Sequence, residues 1–361
     1  MNGDWREGMR TRVSTLPGKE DRELIDQLES SGALPFAATA YWLDLASEDY
    51  RNCGRNDQGI PIDPILAQVL PSKAEFEAKP LEATDPLREH DHSPFPRLVH
   101  QYPSRILLRS TGECPIFCRH CFRRSLLTHE RGFMEEKAQE ATRAYLQAHP
   151  EVREVLVSGG DPLTASTAKL EGLFARLKEG RPGILIRLCT RAPVTLPDRI
   201  DDELVAMLSR YKPLRVVIQV NHPAEISPLF VQKIELLLRA GLPVRSQTVL
   251  LRGINDSPDT LEALFAGLVQ VGVDPYYLFQ GDMAAGTSHF RVPLSRGLLI
   301  YDELRRRLSG LEMPRFAVDA PDGGGKMYLP ESIAGKEDGF WLLRGPDGSL
   351  HRYPEETEEG Q

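Results

Sequence analysis

From about residue 105 onward, short apolar runs alternate with segments whose apolar residues recur at helical spacing. The apolar runs predict six strands, at residues 105–109, 154–158, 184–188, 215–220, 244–250 and 275–280. The intervening and following segments predict helices at residues 134–148, 168–178, 201–210, 228–240, 258–271 and 298–308. Regular alternation of strands and helices predicts an α/β fold with a parallel sheet and right-handed crossovers.

The residues that follow the predicted strands are small or polar, unlike the strands themselves. In barrels and in open sheets alike, ligands bind at the C-terminal ends of parallel strands. The pattern does not distinguish a barrel from an open sheet. In either case, it predicts one binding site formed by the residues that follow these strands. The segments concerned are the cysteine motif that begins at Cys114, Ser158-Gly-Gly-Asp161, Cys189-Thr-Arg191, Asn221-His-Pro223 and Gly281-Asp282.

The two flanks of this region carry different patterns. Residues 1–95 contain an amphipathic segment at residues 19–31 and then many prolines, which predicts a helical N-terminal extension. Within it, residues 85–92 are interpreted as a solvated polar loop in preference to a metal site. Residues 311–361 contain a glycine run and a predicted hairpin around Gly345-Pro-Asp-Gly348. We therefore expect an extension at 1–95, a core at 96–310 and a C-terminal segment at 311–361.

Composition and charge narrow the class of protein. The 361 residues carry a net charge of −8 and are 41% hydrophobic, which fits a globular protein and argues against bulk nucleic-acid binding. Five cysteines, three of them clustered, suit a reducing compartment better than a disulfide framework. The sequence shows neither a membrane-spanning apolar run nor an apolar signal region at the N-terminus. These features predict a cytoplasmic protein with no membrane partner.

The cysteine motif is Cys114-x3-Cys118-x2-Cys121, with no fourth cysteine close by. Thiolates hold iron–sulfur clusters, and three ligands on a four-iron cluster leave one iron open. This spacing is typical of radical S-adenosylmethionine (SAM) enzymes, which use the open iron to chelate SAM. Two alternatives are three unrelated buried thiols and a zinc knuckle, although the latter needs a fourth ligand at short range.

Two glycine-rich segments carry candidate chemistry. In Ser158-Gly159-Gly160-Asp161, the glycines allow close backbone approach and the carboxylate can accept from the ammonium of SAM. The alternative is an ordinary turn between strand and helix. Gly323-Gly-Gly-Lys326 fails the phosphate-loop pattern because Met327 follows the lysine. Lys326 can instead carry pyridoxal phosphate (PLP) as a Schiff base, unless it is a solvated turn lysine.

Three charged residues have two interpretations each. Asp282 and Asp319 could bind a cation or a substrate ammonium, although most aspartates serve turns and helix caps. Arg123 could bind a substrate carboxylate bidentately. Together with its neighbours Arg119 and Arg124, it could equally neutralise an anionic cluster.

Several segments resemble the lysine 2,3-aminomutase family, the PLP-dependent branch of the radical SAM enzymes. The resemblance covers residues 85–330 and implies a partial (β/α)6 TIM-like barrel. The segments that carry it are His100-Gln-Tyr-Pro-Ser-Arg105, Cys114-Pro-Ile-Phe-Cys-Arg-His-Cys-Phe-Arg-Arg124, Val157-Ser-Gly-Gly-Asp-Pro-Leu163, Thr190-Arg-Ala-Pro-Val-Thr195, Asn221-His-Pro223, Leu251-Arg-Gly-Ile-Asn-Asp256, Tyr276-Tyr-Leu-Phe-Gln-Gly-Asp282 with His289-Phe-Arg291, and Val318-Asp-Ala-Pro-Asp-Gly-Gly-Gly-Lys326.

The resemblance implies a role for each candidate residue. A 4Fe-4S cluster would be held by Cys114, Cys118 and Cys121, and Lys326 would carry PLP. Arg123 would bind the substrate carboxylate, and Asp282 and Asp319 would bind a distal ammonium. The remaining cofactor-binding residues would be Tyr102 and Arg105 at the PLP phosphate and, toward SAM, Ser158, Gly159, Gly160, Asp161, Thr190, Arg191 and Gln247.

These roles imply an isomerase that interconverts L-lysine and β-lysine. A 5′-deoxyadenosyl radical would abstract a hydrogen, and the amino group would migrate between adjacent carbons. One alternative is an enzyme that makes (R)-β-lysine for elongation factor P modification, and another is an aminomutase for a second cationic amino acid such as arginine. A third is a catalytically idle iron–sulfur protein in electron transfer or sensing, although such a protein would need neither Lys326 nor the two aspartates.

The chain departs from the family at its zinc site. Ser257 stands where the family carries a cysteine, and no cysteine follows Cys189, so we expect no zinc. Since zinc links subunits in those relatives, an oligomer is possible but is not implied. The expected partners are a small amino-acid substrate and an external electron donor of the flavodoxin or ferredoxin type.

Overall fold

The computed structural model describes residues 19–46, 54–56, 59–77 and 79–355. The polar N-terminus and most of the acidic C-terminal tail lie outside these residues. The main sheet has nine strands whose spatial order follows the chain. They are β1 (Leu98–Tyr102), β2 (Arg105–Thr111), β3 (Glu154–Gly159), β4 (Leu185–Thr190), β5 (Leu214–Gln219), β6 (Val244–Val249), β7 (Asp274–Phe279), β8 (Arg315–Ala320) and β9 (Gly325–Tyr328).

Strands β2 to β8 are parallel, and β1 and β9 add one antiparallel strand at each edge. The six strands predicted from apolar runs are β2 to β7, each within two residues of its predicted bounds. Strands β1, β8 and β9 were not predicted. The four residues of β9 include a glycine and a lysine, which carry little intrinsic strand preference, so pairing with β8 defines this strand.

Ten α-helices occur within the described residues. They are α1 (Lys19–Ser31), α2 (Ala40–Asp44), α3 (Arg124–His129), α4 (Glu136–Ala148), α5 (Thr167–Gly180), α6 (Ala192–Thr195), α7 (Asp202–Arg210), α8 (Pro228–Arg239), α9 (Pro258–Gln270) and α10 (Leu294–Arg307). All six predicted crossover helices are confirmed. Helix α9 begins as its sequence predicts, since Ser257 Oγ caps it by accepting from Thr260 N at 3.2 Å.

The sheet curls into a partial barrel that remains open between β1 and β9. Two hydrogen bonds bridge this seam: Gln101 Nε2 donates to Gly323 O at 2.9 Å, and Lys326 N donates to Tyr102 Oη at 2.7 Å. The predicted partial (β/α)6 barrel is confirmed, because β2 to β7 are each followed by a helix. Strand β8 adds a seventh parallel strand, which places β9 and Lys326 at the mouth.

The N-terminal part of the chain packs on the barrel and shares its hydrophobic core. Trp42 and Ile65 are buried in the same cluster as the barrel strands, and Trp42 Nε1 donates to Ile65 O at 3.1 Å. Thr39 Oγ1 donates to Thr195 O at 2.7 Å on the barrel side. The segment boundaries near residues 95 and 310 stay a prediction.

The C-terminal segment forms a separate three-stranded antiparallel sheet of β10 (Ile333–Glu337), β11 (Phe340–Arg344) and β12 (Leu350–Pro354). The predicted hairpin is β11 and β12, and β10 is additional. Buried Tyr353 of β12 reaches the barrel, where its hydroxyl donates to Gly281 O at 2.7 Å, next to Asp282. Within the described ranges, the helices are too short or too polar to cross a bilayer.

Candidate active site

A cavity of about 480 Å³ lies at the C-terminal ends of the barrel strands. This volume is in the range of small-molecule sites. Every residue predicted above to bind metal, cofactor or substrate lines it: Tyr102, Arg105, Cys114, Cys118, Cys121, Arg123, Ser158, Gly159, Gly160, Asp161, Thr190, Arg191, Gln247, Asp282, Asp319 and Lys326. The structure therefore brings these side chains together, while their individual roles stay predictions.

The cysteine loop after β2 is held from behind by the N-terminal segment. Phe117 N donates to Ala37 O at 2.9 Å, and Arg119 N donates to Gln68 O at 2.8 Å. The fully buried Arg119 side chain also donates to Leu34 O at 3.0 Å. The N-terminal segment thus forms the back wall of the loop, a role that its sequence did not predict.

Glu75 neutralises two of the three arginines in the motif. Arg119 Nε lies 2.9 Å from Glu75 Oε1, and Arg124 Nη2 lies 2.6 Å from Oε2. Burial alone would raise the pKa of Glu75, but the charges and hydrogen bonds of the two arginines outweigh it and hold the pKa at about 2. The arginines beside the cysteines are therefore already compensated by protein carboxylates.

We expect Glu75→Ala to destabilise the fold strongly, because it leaves the buried guanidinium of Arg119 without its carboxylate. Breaking a buried ion pair from one side costs about 3–5 kcal/mol. Urea unfolding of the cluster-free protein measures the loss. Glu77→Ala is the matched control: Glu77 is exposed, so its removal should change stability by about 0.5 kcal/mol or less. A loss below about 1 kcal/mol for Glu75→Ala would contradict the prediction.

All three cysteines of the motif line the cavity. Among the described residues, no group of three or more His, Cys, Asp or Glu side chains is close enough to hold one metal ion. Three cysteines beside one cavity can hold an iron–sulfur cluster, whereas a zinc knuckle would need a fourth ligand at short range. Burial raises the pKa of Cys121 to about 11 and that of Cys114 also rises, so cluster iron would be needed to hold both as thiolates.

Arg191 contacts one of these thiols directly. Its Nη1 lies 2.9 Å from Cys118 Sγ, and its Nη2 lies 3.1 Å from Glu225 Oε2 and 2.5 Å from Gln68 Oε1. The guanidinium is thus placed to donate a hydrogen bond to the sulfur of this predicted cluster ligand. Arg191 was predicted to bind a cofactor, and the structure places its side chain against a predicted cluster ligand.

The Ser158–Asp161 turn has a structural reason for its glycines. A Cβ on Gly159 would lie 2.4 Å from Thr111 O, and one on Gly160 would lie 2.3 Å from Glu113 O. The sequence suggested that these glycines make room for a ligand. In the structure, they make room for the backbone that leads into the cysteine loop. The turn therefore packs against the start of that loop as it lines the cavity.

Asp161 also serves this turn. One carboxylate oxygen accepts from Leu163 N at 3.0 Å and Thr190 Oγ1 at 2.7 Å, and the other accepts from Arg191 N at 2.7 Å. Burial raises the pKa of Asp161, while these hydrogen bonds oppose the rise. The carboxylate ties the ends of β3 and β4 together, so any contact with SAM would use a group that is already positioned.

Lys326 and Asp319 form a cross-strand pair on β9 and β8. The Lys326 Nζ atom lies 3.0 and 2.9 Å from the two oxygens of Asp319, and 3.9 Å from the centre of the Phe279 ring. The Lys326 side chain is 19% exposed. The alternative of a solvated turn lysine is therefore wrong, because this amine is held inside the cavity.

Asp282 follows β7 and completes an acidic pair with Asp319. Burial and the charge of Asp319 raise the pKa of Asp282 to about 8, although Lys326 and Arg123 oppose the rise. Two close carboxylates share protons unless a cation enters between them. The pair is thus suited to bind an ammonium group.

Arg123 lies in the same cavity, paired with Glu89. Its Nη2 lies 2.5 Å from Glu89 Oε1, and Nε lies 3.1 Å from both carboxylate oxygens. The interpretation of residues 85–92 as a solvated loop holds for exposed His90 but is wrong for Glu89, which is 6% exposed. The need of buried arginines for carboxylate partners was a usable signal, but nothing in the sequence identified Glu75 or Glu89 as those partners.

Several known proteins are similar to this chain in sequence. The family profile described as "Radical SAM superfamily" matches residues 108–264. The L-lysine 2,3-aminomutase of Clostridium subterminale is 37% identical over 98% of this chain and 84% of its own length. The L-lysine 2,3-aminomutase of Acetoanaerobium sticklandii has the same identity and coverage, and the glutamate 2,3-aminomutase of Clostridioides difficile is 36% identical over 96% of this chain and 79% of its own length.

A radical SAM domain implies a 4Fe-4S cluster and SAM, and the cavity supplies the three cysteines for the cluster. The relatives are aminomutases, which are isomerases of small amino acids. The chain belongs to the lysine 2,3-aminomutase family and is a radical SAM amino-acid 2,3-aminomutase.

Proposed function

We propose that the protein is a PLP-dependent aminomutase that interconverts L-lysine and β-lysine. The observation that carries this proposal is the meeting of Lys326, Asp282 and Asp319 in the cavity lined by the three cysteines. An amine for PLP, an acidic pair for a distal ammonium and cluster ligands then lie within reach of one substrate. A catalytically idle iron–sulfur protein would need only the cysteines.

The acidic pair favours a cationic side chain. A lysine ε-ammonium beside Asp282 and Asp319 would offset the negative charge of the pair, whereas a glutamate side chain would add a further negative charge next to it. The contact of Lys326 Nζ with Asp319 supports this proposal, because it places an amine 2.9 Å from one carboxylate of the pair. The name of the C. difficile relative is therefore a weaker guide to substrate than the pair itself.

Each cofactor has residues suited to hold it. Lys326 would carry PLP, and the Arg105 guanidinium stacked 3.8 Å from the centre of the Tyr102 ring would face its phosphate. Cys114, Cys118 and Cys121 would hold the cluster beside Arg191. When bound, the reduced cluster and SAM supply the radical, and PLP supplies the electron delocalisation that amino migration requires. The protein excludes water and fixes the carboxylate and the distal ammonium of the substrate.

Two alternatives keep this site and change the product or the substrate. An enzyme that makes (R)-β-lysine for elongation factor P would differ in product stereochemistry, and an arginine aminomutase would present a guanidinium to the same acidic pair. The decisive experiment is anaerobic reconstitution with iron, sulfide, PLP, SAM and a reductant, followed by incubation with L-lysine, L-arginine or L-glutamate. We expect β-lysine from L-lysine, and chiral analysis assigns its configuration. The proposal is wrong if none of the three amino acids gives a β-amino acid.

We further propose a cytoplasmic location and an electron donor of the flavodoxin or ferredoxin type, since the cluster needs a low-potential reductant. We also propose that no zinc is required, because Ser257 replaces a cysteine and no cysteine follows Cys189. Metal analysis of the reconstituted protein should give iron without stoichiometric zinc.

A further inference from the structure

Arg123 presents only part of its guanidinium to the cavity. Its Nε and Nη2 form the edge that meets the Glu89 carboxylate, with contacts of 2.5 to 3.1 Å. One face of the group lies 4.4 Å from the centre of the Phe122 ring. Nη1 makes no hydrogen bond to any residue that the structure describes. A carboxylate ligand would therefore meet Arg123 along its other edge, which is formed by Nη1 and Nη2.

Glu89 is itself held in place. Arg109 Nη1 lies 3.5 Å from its Oε2, and Arg109 Nη2 lies 2.9 Å from Glu130 Oε1. The backbone N of Glu89 donates to Asp85 Oδ1 at 3.0 Å. Arg123, Glu89, Arg109 and Glu130 thus form a chain of alternating charges with no net charge, so Glu89 is a fixed carboxylate and not a mobile competitor for Arg123.

Two roles for Glu89 follow from this geometry, and they predict opposite effects. If Glu89 occupied the substrate position, its removal would free Arg123 and strengthen binding. If Glu89 orients Arg123, its removal would release the long arginine side chain and weaken binding. The second role fits the contacts better, because Glu89 takes the Nε edge and leaves the Nη1 edge for a ligand. Withdrawing Arg123 would also leave a buried carboxylate with only the 3.5 Å contact to Arg109.

We propose that Glu89 is a positioning residue that fixes Arg123 for the α-carboxylate of the amino-acid substrate. This rests on the proposed function, in which Arg123 binds that carboxylate. Glu89 does not touch the substrate in this account. Its role is to hold one edge of the guanidinium so that the other edge keeps a constant distance from Asp282 and Asp319, which suits a substrate with a carboxylate at one end and an ammonium at the other.

Glu89→Gln tests this role, since it keeps the shape of the side chain and removes its charge. We expect KM for L-lysine to rise about tenfold, with kcat within about twofold of wild type. Calorimetry on the PLP-loaded protein without SAM gives a second readout. The Kd of L-lysine should rise similarly, while the Kd of 1,5-diaminopentane, which lacks a carboxylate, should not change.

Glu140→Gln is the matched control, because Arg143 pairs with Glu140 through the same Nε–Nη2 edge on the exposed surface of α4. It should leave every constant unchanged. An unchanged or lowered KM for L-lysine in Glu89→Gln overturns the proposal. If that variant does not fold, Glu89→Asp provides the measurement: it withdraws the carboxylate by one methylene, so KM should rise several-fold with kcat retained, and an unchanged KM overturns the proposal.

Arg123→Gln separates this inference from the function on which it rests. If Arg123→Gln leaves lysine binding unchanged, Arg123 is not the carboxylate clamp and the proposed substrate contact fails. If Arg123→Gln weakens lysine binding and Glu89→Gln does not, only the positioning role of Glu89 fails.

Discussion

Lys326→Ala is expected to abolish covalent PLP attachment and to lower aminomutase turnover by at least about 10²-fold. Among the described residues that line the cavity, Lys326 is the only lysine. Its amine is already positioned by Asp319 and the Phe279 ring, and even a displacement of about 1 Å in such a site can cost roughly 10²-fold in rate. Borohydride reduction followed by peptide mass spectrometry should locate PLP on Lys326 in wild type and find none in the variant.

The same variant should keep the visible absorbance of the cluster, because the cysteines lie on the loop after β2 and not on β9. Lys336→Ala is the control, since Lys336 lies on neighbouring β10 with a side chain 45% exposed and should not affect PLP attachment. Covalent PLP retained in Lys326→Ala at the wild-type level would show that another amine carries the cofactor.

Asp282→Asn should weaken the binding of L-lysine by roughly 10- to 150-fold. Hydrogen bonds to charged groups are worth about 1.5–3 kcal/mol, and each 1.4 kcal/mol is a factor of ten in affinity. Asp282 is the cleaner test of the acidic pair, because Asp319 also holds Lys326. Calorimetry with L-lysine and 1,5-diaminopentane measures the loss, which should be equal for the two ligands because both carry the distal ammonium.

Asp274→Asn is the matched control for this substitution. Asp274 begins β7, the strand that Asp282 follows, and its side chain is 71% exposed. The control should bind both ligands with wild-type affinity. Wild-type affinity in Asp282→Asn would remove the acidic pair as the basis for lysine specificity.

The pKa of about 8 for Asp282 adds a pH dependence with a definite sign. Below pH 8 the carboxyl is mostly protonated in the free protein, and a proton must leave before the substrate ammonium can pair with it. The lysine ε-ammonium keeps its own proton to about pH 10. Affinity for 1,5-diaminopentane should therefore increase from pH 7 to pH 9 in wild type, and this increase should be lost in Asp282→Asn.

The scaffold could be predicted because the signals for it are local. The apolar runs at β2 to β7 and the helical spacing of α4, α5 and α7 to α10 follow from backbone periodicity and need no distant partner. The cysteine motif and the glycine-rich turn were equally local. Once alternating strands and helices predict a parallel sheet, the polar residues after those strands must meet at one edge.

The pairing of strands β8 and β9 could not be predicted from local sequence patterns. Asp319 and Lys326 come from one contiguous motif, yet their cross-strand pairing depends on the antiparallel register of β9 against β8. The four residues of β9 carry too little strand preference for sequence to specify that register. The seam between β1 and β9, which hydrogen bonds of Tyr102 and Gln101 bridge, is likewise defined only when the sheet curls.

The amino-acid sequence by itself therefore determined the alternation of strands and helices, the cysteine motif and the chemical types of the candidate site residues, and the family resemblance added the barrel. Tertiary structure alone decided which carboxylates compensate the buried arginines: Glu75 for Arg119 and Arg124, Glu89 for Arg123 and Glu225 for Arg191. Glutamate is common on solvated surfaces, so its type carries no information about burial. A buried ion pair is defined only when folding excludes water from both partners, and these partners lie more than thirty residues apart in the chain.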